Sequence, residues 1–128
     1  MSAEESKNAV RRLFDEVWNE RKLDAVTDVL VADYAQRERS WAEMVLAAFP
    51  DTHFTIDDML AEDDRVATRV TWRATHEGEF AGIAPTGRQI EMSAMFIHRM
   101  GNGKAIESWG FGDAIGIFDQ IKAAIGGD

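Results

Sequence analysis

The hydrophobic period of this 128-residue chain changes sharply at Pro50. Before Pro50 the apolar residues recur at helical spacing, and after it they alternate. The two patterns are not interchangeable, so the chain must be helical first and sheet-forming second. Ser2-Ala3-Glu4-Glu5 reads as a capping box. Behind it Val10, Leu13, Phe14, Val17 and Trp18 fall on one face of a helix. The polar run Asn19-Glu20-Arg21-Lys22 breaks that stripe, and a shorter helix then carries Leu23, Val26, Val29 and Leu30. Ser40-Trp41-Ala42-Glu43 reads as a second capping box, opening a helix with Trp41, Met44, Val45, Ala48 and Phe49 inward. Pro50 ends it, because proline disfavours the helical region for the residue before it.

Beyond Pro50 the alternation predicts a strand over 53–61 and a polar turn at Glu62-Asp63-Asp64. Val66, Val70, Trp72, Ala74 and His76 then share one strand face, with Arg69, Thr71, Arg73 and Thr75 on the other. Residues 78–87, with Pro85-Thr86-Gly87, read as a loop. Ile90, Met92, Ala94, Phe96 and His98 share a face of the next strand. Gly101-Asn102-Gly103 is a tight hairpin that returns through Ala105 to Phe111. A last helix starts near Asp113, buries Ile117, Phe118, Ile121 and Ile125, and stops at Gly126-Gly127. The expectation is one α+β domain over 1–128: three helices, an antiparallel meander of about four strands and a closing helix, with the helices on one face.

Composition narrows the function classes. Fourteen Lys and Arg against 23 Asp and Glu leave a net charge of −9. That balance opposes nucleic-acid binding, which needs cations to displace counterions from phosphate, and adhesion to an anionic membrane. No apolar run approaches the roughly 18 residues of a membrane span. The absence of cysteine removes disulfides, thiolate ligands and a thiol nucleophile. The start, Met-Ser-Ala-Glu-Glu, lacks a basic n-region and an apolar h-region, so the expected location is cytoplasmic.

The glycine run Gly110-Phe111-Gly112-Asp113-Ala114-Ile115-Gly116 lies between a strand and a helix, as a dinucleotide fingerprint does. Its third Gly is one residue late, and the remainder cannot hold a second parallel strand and a ribose-binding acid. It reads as a strand-to-helix corner, and no cofactor is implied. His53, His76 and His98 fall on different strands without ligand spacing, so no metal site is expected. His53 reads as exposed. His76 and His98 face an apolar interior, each either a satisfied core group or a pocket acid/base. Asp113 stands where the last helix needs an N-cap, and equally where a carboxylate would reach the cavity mouth. Phe14, Trp18, Trp41, Phe49, Met92, Met95 and Phe96 read as core first and pocket lining second. Asp57, Asp58, Glu62, Asp63 and Asp64 read as a solvated strand end and turn.

Residues 11–20, 23–26 and 32–34, the segment Ala47-Ala48-Phe49-Pro50-Asp51 and the run Thr75-His76-Glu77-Gly78-Glu79-Phe80-Ala81-Gly82-Ile83-Ala84-Pro85-Thr86-Gly87-Arg88 resemble SnoaL-like polyketide cyclases (ester cyclases). Gly103, Lys104, Glu107, Trp109 and Asp113 fit the same pattern. The resemblance implies the nuclear-transport-factor-2-like cone: a curved antiparallel sheet wrapped against N-terminal helices around an apolar cavity, dimeric through the sheet. It also implies an intramolecular aldol condensation, which needs a base for a proton α to a carbonyl and a donor for the enolate oxygen. In the family an acid/base aspartate follows the position of Trp109, and here that residue is Gly110. The assisting histidine lies three residues before the position of Arg99, and here that residue is Phe96. Arg37 and the early Ser40 replace a family histidine and its longer loop. His76 and Asp113 therefore stand as the candidate acid/base pair, and Trp18, Tyr34, Trp72, Phe96 and His98 as candidate ligand contacts. Tyr34 can serve as an enolate donor, as a tyrosine does in ketosteroid isomerase, or simply pack at a helix end. Two readings follow: proton transfer on a small apolar carbonyl compound, or a non-catalytic binding module of the same fold. A third is an interaction domain that dimerises through its sheet.

Overall fold

A computed structural model describes residues 2–112 and 116–121. Helix α1 (Ala3–Arg12) opens with Ser2, whose hydroxyl accepts from the Glu5 N–H at 3.1 Å, as the capping box requires. The stripe behind it does not continue as an α-helix. Leu13–Asn19 is π-helical, with the Glu20 N–H reaching back to the Asp15 carbonyl. The wider turn brings Leu13, Phe14, Val17 and Trp18 into the core together. The segment ends where Arg21 takes a positive φ of 63°. The shorter helix of the sequence reading is a 3₁₀ turn, Leu23–Ala25, and one α turn, α2 (Val26–Val29). Leu30 is extended and bridges Ala105 in parallel.

Helix α3 (Ala32–Ala48) corrects the expected start at Ser40. It begins eight residues earlier, after Val31, which has no polar side chain to cap the helix and whose own N–H is taken by the Ala105 carbonyl at 3.1 Å. Tertiary pairing sets this helix start, which is why no capping motif announces it. Ser40 is interior and exposed, and so are Trp41 (49 %) and Met44 (50 %), both expected inward. The buried side of α3 is Tyr34, Ala35, Ala42, Val45 and Ala48, with Phe49 fully buried after it.

The sheet matches the alternation closely. Strands β1 (His53–Glu62), β2 (Arg65–Thr75), β3 (Gln89–Gly101) and β4 (Lys104–Gly112) form an antiparallel meander in the order β1-β2-β3-β4. Register slips at Ile56/Asp58 and Arg99/Met100 mark bulges, which bend a sheet and raise its twist. Asn102 and Gly103 take φ values of 52° and 84°, the backbone that the β3–β4 hairpin needs. Val66, Val70, Trp72 and Ala74 of β2, with His76 just beyond it, are buried, and so are Ile90, Ala94 and His98 of β3. Met95, grouped with the core residues on sequence, points to the opposite face and is exposed, as period-2 alternation with Ala94 and Phe96 demands. Ile117 and Ile121, on the helical residues 116–121, are buried as expected. Asp113 and Ile125 lie outside the described residues.

The helices close on one face of this curved sheet, and two polar clamps hold them there. The Asn19 side chain imitates a strand, donating to the Phe54 carbonyl and accepting from the Phe54 N–H, both at 2.8 Å. At the other end the Ala48 carbonyl accepts from the N–H groups of Glu77 and Gly78, so the 76–88 loop hangs from the C-terminus of α3. The approach is close: a Cβ on Gly78 would lie 2.3 Å from the Ala47 carbonyl oxygen. Neither backbone can yield there. Gly78→Ala is therefore expected to lower the unfolding free energy by about 2 kcal/mol, read as a shift in urea midpoint at unchanged slope.

Candidate functional site

The curvature leaves an apolar pocket of 310 Å³ between the helices and the sheet. Its walls come from every layer. Trp18 enters from the π-helical segment, Trp41, Val45 and Phe49 from α3 and the residue after it, and Trp72, Met92, Ala94 and Phe96 from the sheet. Phe80 of the 76–88 loop and Phe118 of residues 116–121 close it, their rings stacked at 5.9 Å. Gly110 and Gly112 complete the wall on β4. Wider depressions around Asp51 and Gln120 (440 Å³) and around Asn19 and Met59 (600 Å³) are open and bordered by exposed charged groups. A pocket of apolar walls with few polar groups nearby is the usual form of a small-molecule site.

The glycine run finds its use here. Gly110 is paired with Phe96 across β3 and β4, and a Cβ on Gly110 would lie 2.8 Å from the Phe96 ring. The ring of Phe96 thus lies against the bare backbone of Gly110. The two positions at which the resemblance implied an acid/base pair are direct neighbours and form one apolar surface.

Of the five ligand contacts expected from sequence, Trp18, Trp72 and Phe96 line the pocket, and Tyr34 and His98 are not among its walls. His76 is fully buried beside it, its ring 5.4 Å from that of Phe49. Its Nδ1 accepts from the Thr86 N–H at 3.3 Å and lies 3.0 Å from the Thr86 hydroxyl. The backbone follows suit, His76 N–H to the Arg88 carbonyl and Gly87 N–H to the His76 carbonyl. In this arrangement His76 fastens the loop that delivers Phe80. An acceptor Nδ1 leaves the proton on Nε2, which has no hydrogen-bond partner among the described residues.

His98 lies deeper, against Phe14 and Phe96 at 6.4 and 6.1 Å. Burial lowers its pKa to about 4, so it is neutral near pH 7. His53 is exposed. Among the described residues no three His, Asp or Glu side chains gather as a metal site needs.

Tyr34 is buried and donates to the Ser108 hydroxyl at 2.6 Å. Burial pushes its phenol up to about 12, so it stays a donor throughout the physiological range. One turn along α3 stands a residue that the sequence reading missed. The Glu38 carboxylate accepts from the Trp18 indole N–H at 2.9 Å, and burial raises its pKa above the ordinary value against the pull of that hydrogen bond. The signal for Glu38 was a stripe at helical spacing, Tyr34, Glu38, Trp41, Val45 and Phe49, visible once α3 is known to begin at Ala32.

A family model described as SnoaL-like polyketide cyclase matches residues 8–121. No curated protein matches the chain. Among solved structures, TsrD from Streptomyces laurentii superposes with a TM-score of 0.89 at 19 % identity, over 96 % of this chain and 98 % of its own. A proposed SnoaL-like polyketide cyclase from Jannaschia sp. CCS1 gives 0.87 at 18 % identity, over 94 % of each chain. AclR from Streptomyces galilaeus, proposed to be a hydroxylase, gives 0.81 at 28 % identity, over 94 % of this chain and 83 % of its own.

The depressed pKa of His98 carries a pH signature. The unfolded chain takes up a proton at this residue near pH 6.5, and the native state refuses it down to about 4. Stability from this source is complete above pH 6.5 and is lost as the pH falls toward 4, by about 3 kcal/mol in total. Unfolding free energies measured across that range should fall more steeply for the natural chain than for His98→Phe. Parallel curves would contradict the assignment.

Proposed function

The chain belongs to the SnoaL-like polyketide cyclase family, and we propose that its pocket binds a small, largely apolar, carbonyl-bearing aromatic compound and carries out cofactor-independent proton transfer on it, as an aldol cyclisation or an isomerisation. The observation that carries this reading is the 310 Å³ pocket with aromatic walls on three sides. That volume is at the lower end for ligand sites and suits two or three fused rings rather than a long chain. Flat aromatic walls select flat ligands, since offset and edge-on ring contacts add to simple burial. The Phe96–Gly110 surface is the reason for a second reading, binding without turnover, since neither of these two residues can move a proton. His76, tied to Thr86, and Asp113, next to the wall residue Gly112, are the acid/base candidates that the sequence proposes.

Binding is testable with a naphthyl β-keto methyl ester, using the fluorescence of Trp18, Trp41 and Trp72 at the walls. Saturable quenching is expected. Gly112→Leu places a side chain in the pocket against the flexible Met92 thioether, 3.1 Å from a Cβ at that position. It should weaken binding about tenfold or more, equivalent to about 1.4 kcal/mol, while thermal stability stays close to that of the natural chain. Turnover is read separately, as α-proton exchange with deuterium above the solvent rate. Binding without exchange would select the second reading.

We further propose a homodimer through the outer face of the sheet. Met95 pairs with Phe111 and Ile97 with Trp109 on that face. Met95, Trp109 and Phe111 are all exposed, with Phe111 at 75 %. Contiguous apolar surface of this kind on a sheet marks an interaction site. Light scattering at micromolar concentration should give the mass of two chains, and Trp109→Glu the mass of one. A monomeric natural chain would remove the dimer reading without touching the pocket.

A further inference from the structure

The pocket wall has no ionisable group at Gly110 or Phe96, yet a carboxyl group stands on the helix that runs beside that wall. The Leu30–Ala105 bridge and the Val31 N–H to Ala105 bond set the start of α3 beside β4, in the same chain direction. Tyr34 then meets Ser108. Two turns further on, Trp41 and Val45 share the pocket wall with Gly110 and Gly112. Glu38 falls between these two points on the same stripe, one turn after Tyr34 and one before Trp41. Its carboxylate takes the N–H of Trp18, a ring of the pocket wall. Ser108 is two residues before Gly110 and therefore on the same strand face.

We propose that Glu38 is the proton-transfer group of this protein, replacing from helix α3 the acid/base function that the sheet positions Gly110 and Phe96 lack, with the Tyr34–Ser108 hydroxyl pair as the donor to the substrate oxygen. This rests on the reading of the pocket as a site for an apolar carbonyl compound. Ionised Glu38 removes a proton from the carbon between two carbonyl groups, and the electron pair released moves onto a carbonyl oxygen. Ser108, which accepts from Tyr34, donates a hydrogen bond from its own O–H to that oxygen and keeps its proton. The enolate carbon then attacks a second carbonyl of the same molecule, forming the carbon–carbon bond, and the new alkoxide recovers the proton from Glu38. Substrate and product are isomers, and no oxidant or reductant takes part.

A purely structural role does not call for this residue. The Trp18 N–H needs one acceptor, which a neutral amide supplies without the burden of desolvating a charge. Among the described residues Glu38 has no ion-pair partner. The two basic residues that flank it on α3 are engaged elsewhere: Arg37 holds its guanidinium over the Tyr34 ring, 5.8 Å from the centroid, and Arg39 pairs with Asp24 and Glu43. A desolvated carboxyl with no cation to hold it ionised carries a raised pKa, as Glu38 does, and such a group both takes and returns a proton more readily near neutral pH.

The test uses Glu38→Gln, which keeps an acceptor for the indole and removes the titration, with the naphthyl β-keto methyl ester as probe. Deuterium exchange at the α-carbon is expected to fall about 100-fold or more, while the Kd from tryptophan quenching stays within about threefold (threefold being under 1 kcal/mol). The exchange rate of the natural chain should rise with pH through an inflection above the ordinary carboxylate value, and that inflection should be missing from Glu38→Gln. Tyr34→Phe should lower exchange while leaving the inflection in place. Unchanged exchange in Glu38→Gln overturns the proposal, and so does a natural chain that binds the ester without exchanging it. Both outcomes leave the pocket reading standing. Absence of saturable binding overturns the pocket reading, and the Glu38 assignment with it.

Discussion

The burial of Phe49 is the contact on which the rest of the architecture depends. It follows the last turn of α3, is fully buried, and touches the rings of Trp72 at 5.0 Å, His76 at 5.4 Å and Phe80 at 5.1 Å. One ring therefore joins the helical layer, the central strand β2 and the 76–88 loop. The polar groups nearby are arranged around it. Thr52 donates to the Phe49 carbonyl at 2.7 Å and accepts from the Trp72 indole at 3.3 Å, so the backbone next to Phe49 and the indole against it share one hydroxyl. Asp51 accepts from both the N–H and the hydroxyl of Thr75. The change of period at Pro50 is thus also the hinge at which the helix layer folds over the sheet.

The long run from Thr75 to Arg88 makes sense from the same place. Thr75 secures its start, His76 and Thr86 bind one another across the loop, and Gly78 permits contact with the end of α3. Phe80 reaches the pocket, and Ala81 and Gly82, with φ of 49° and 81°, turn the chain so that Phe80 and Ile83 exchange backbone hydrogen bonds. The motif that resembles the cyclases is largely the means of building one pocket wall. That role is independent of proton transfer, so the motif is compatible with the non-ionisable Gly110 and Phe96.

The sheet was legible because alternation has one physical meaning. An inward residue on β2 or β3 must be followed by an outward one, and the meander and its faces follow. Helix α3 was misread because a serine with a glutamate three residues on is a capping box only at a free helix start. Its true start is set by a backbone contact to Ala105, more than 70 positions away, which leaves no local trace. The same misplacement conceals Glu38: with α3 starting at Ser40, Glu38 precedes the helix, and with α3 starting at Ala32 it lies at helical spacing from the wall residues Trp41, Val45 and Phe49. The π-helical stretch was hidden for a similar reason. The same apolar residues fit either helix, and the packing of Phe14 and Trp18 on Phe54 chooses between them.

By itself the sequence determined the order of elements, the inward face of each central strand and the family, because these rest on periodicity and on motifs of neighbouring residues. It also determined that Gly110 and Phe96, where the resemblance implies an acid/base pair, carry no ionisable group, which is a matter of residue identity. The tertiary structure decided where those positions meet, and that the ring of one lies against the bare backbone of the other. It decided as well that His76 fastens a loop and that His98 is held neutral by burial. Desolvation and cross-layer hydrogen bonds depend on what surrounds a group in space. A carboxylate on a surface turn and the carboxylate of Glu38 are written with the same kind of letter. What separates them is the indole of Trp18, twenty residues away, and the water that packing removes.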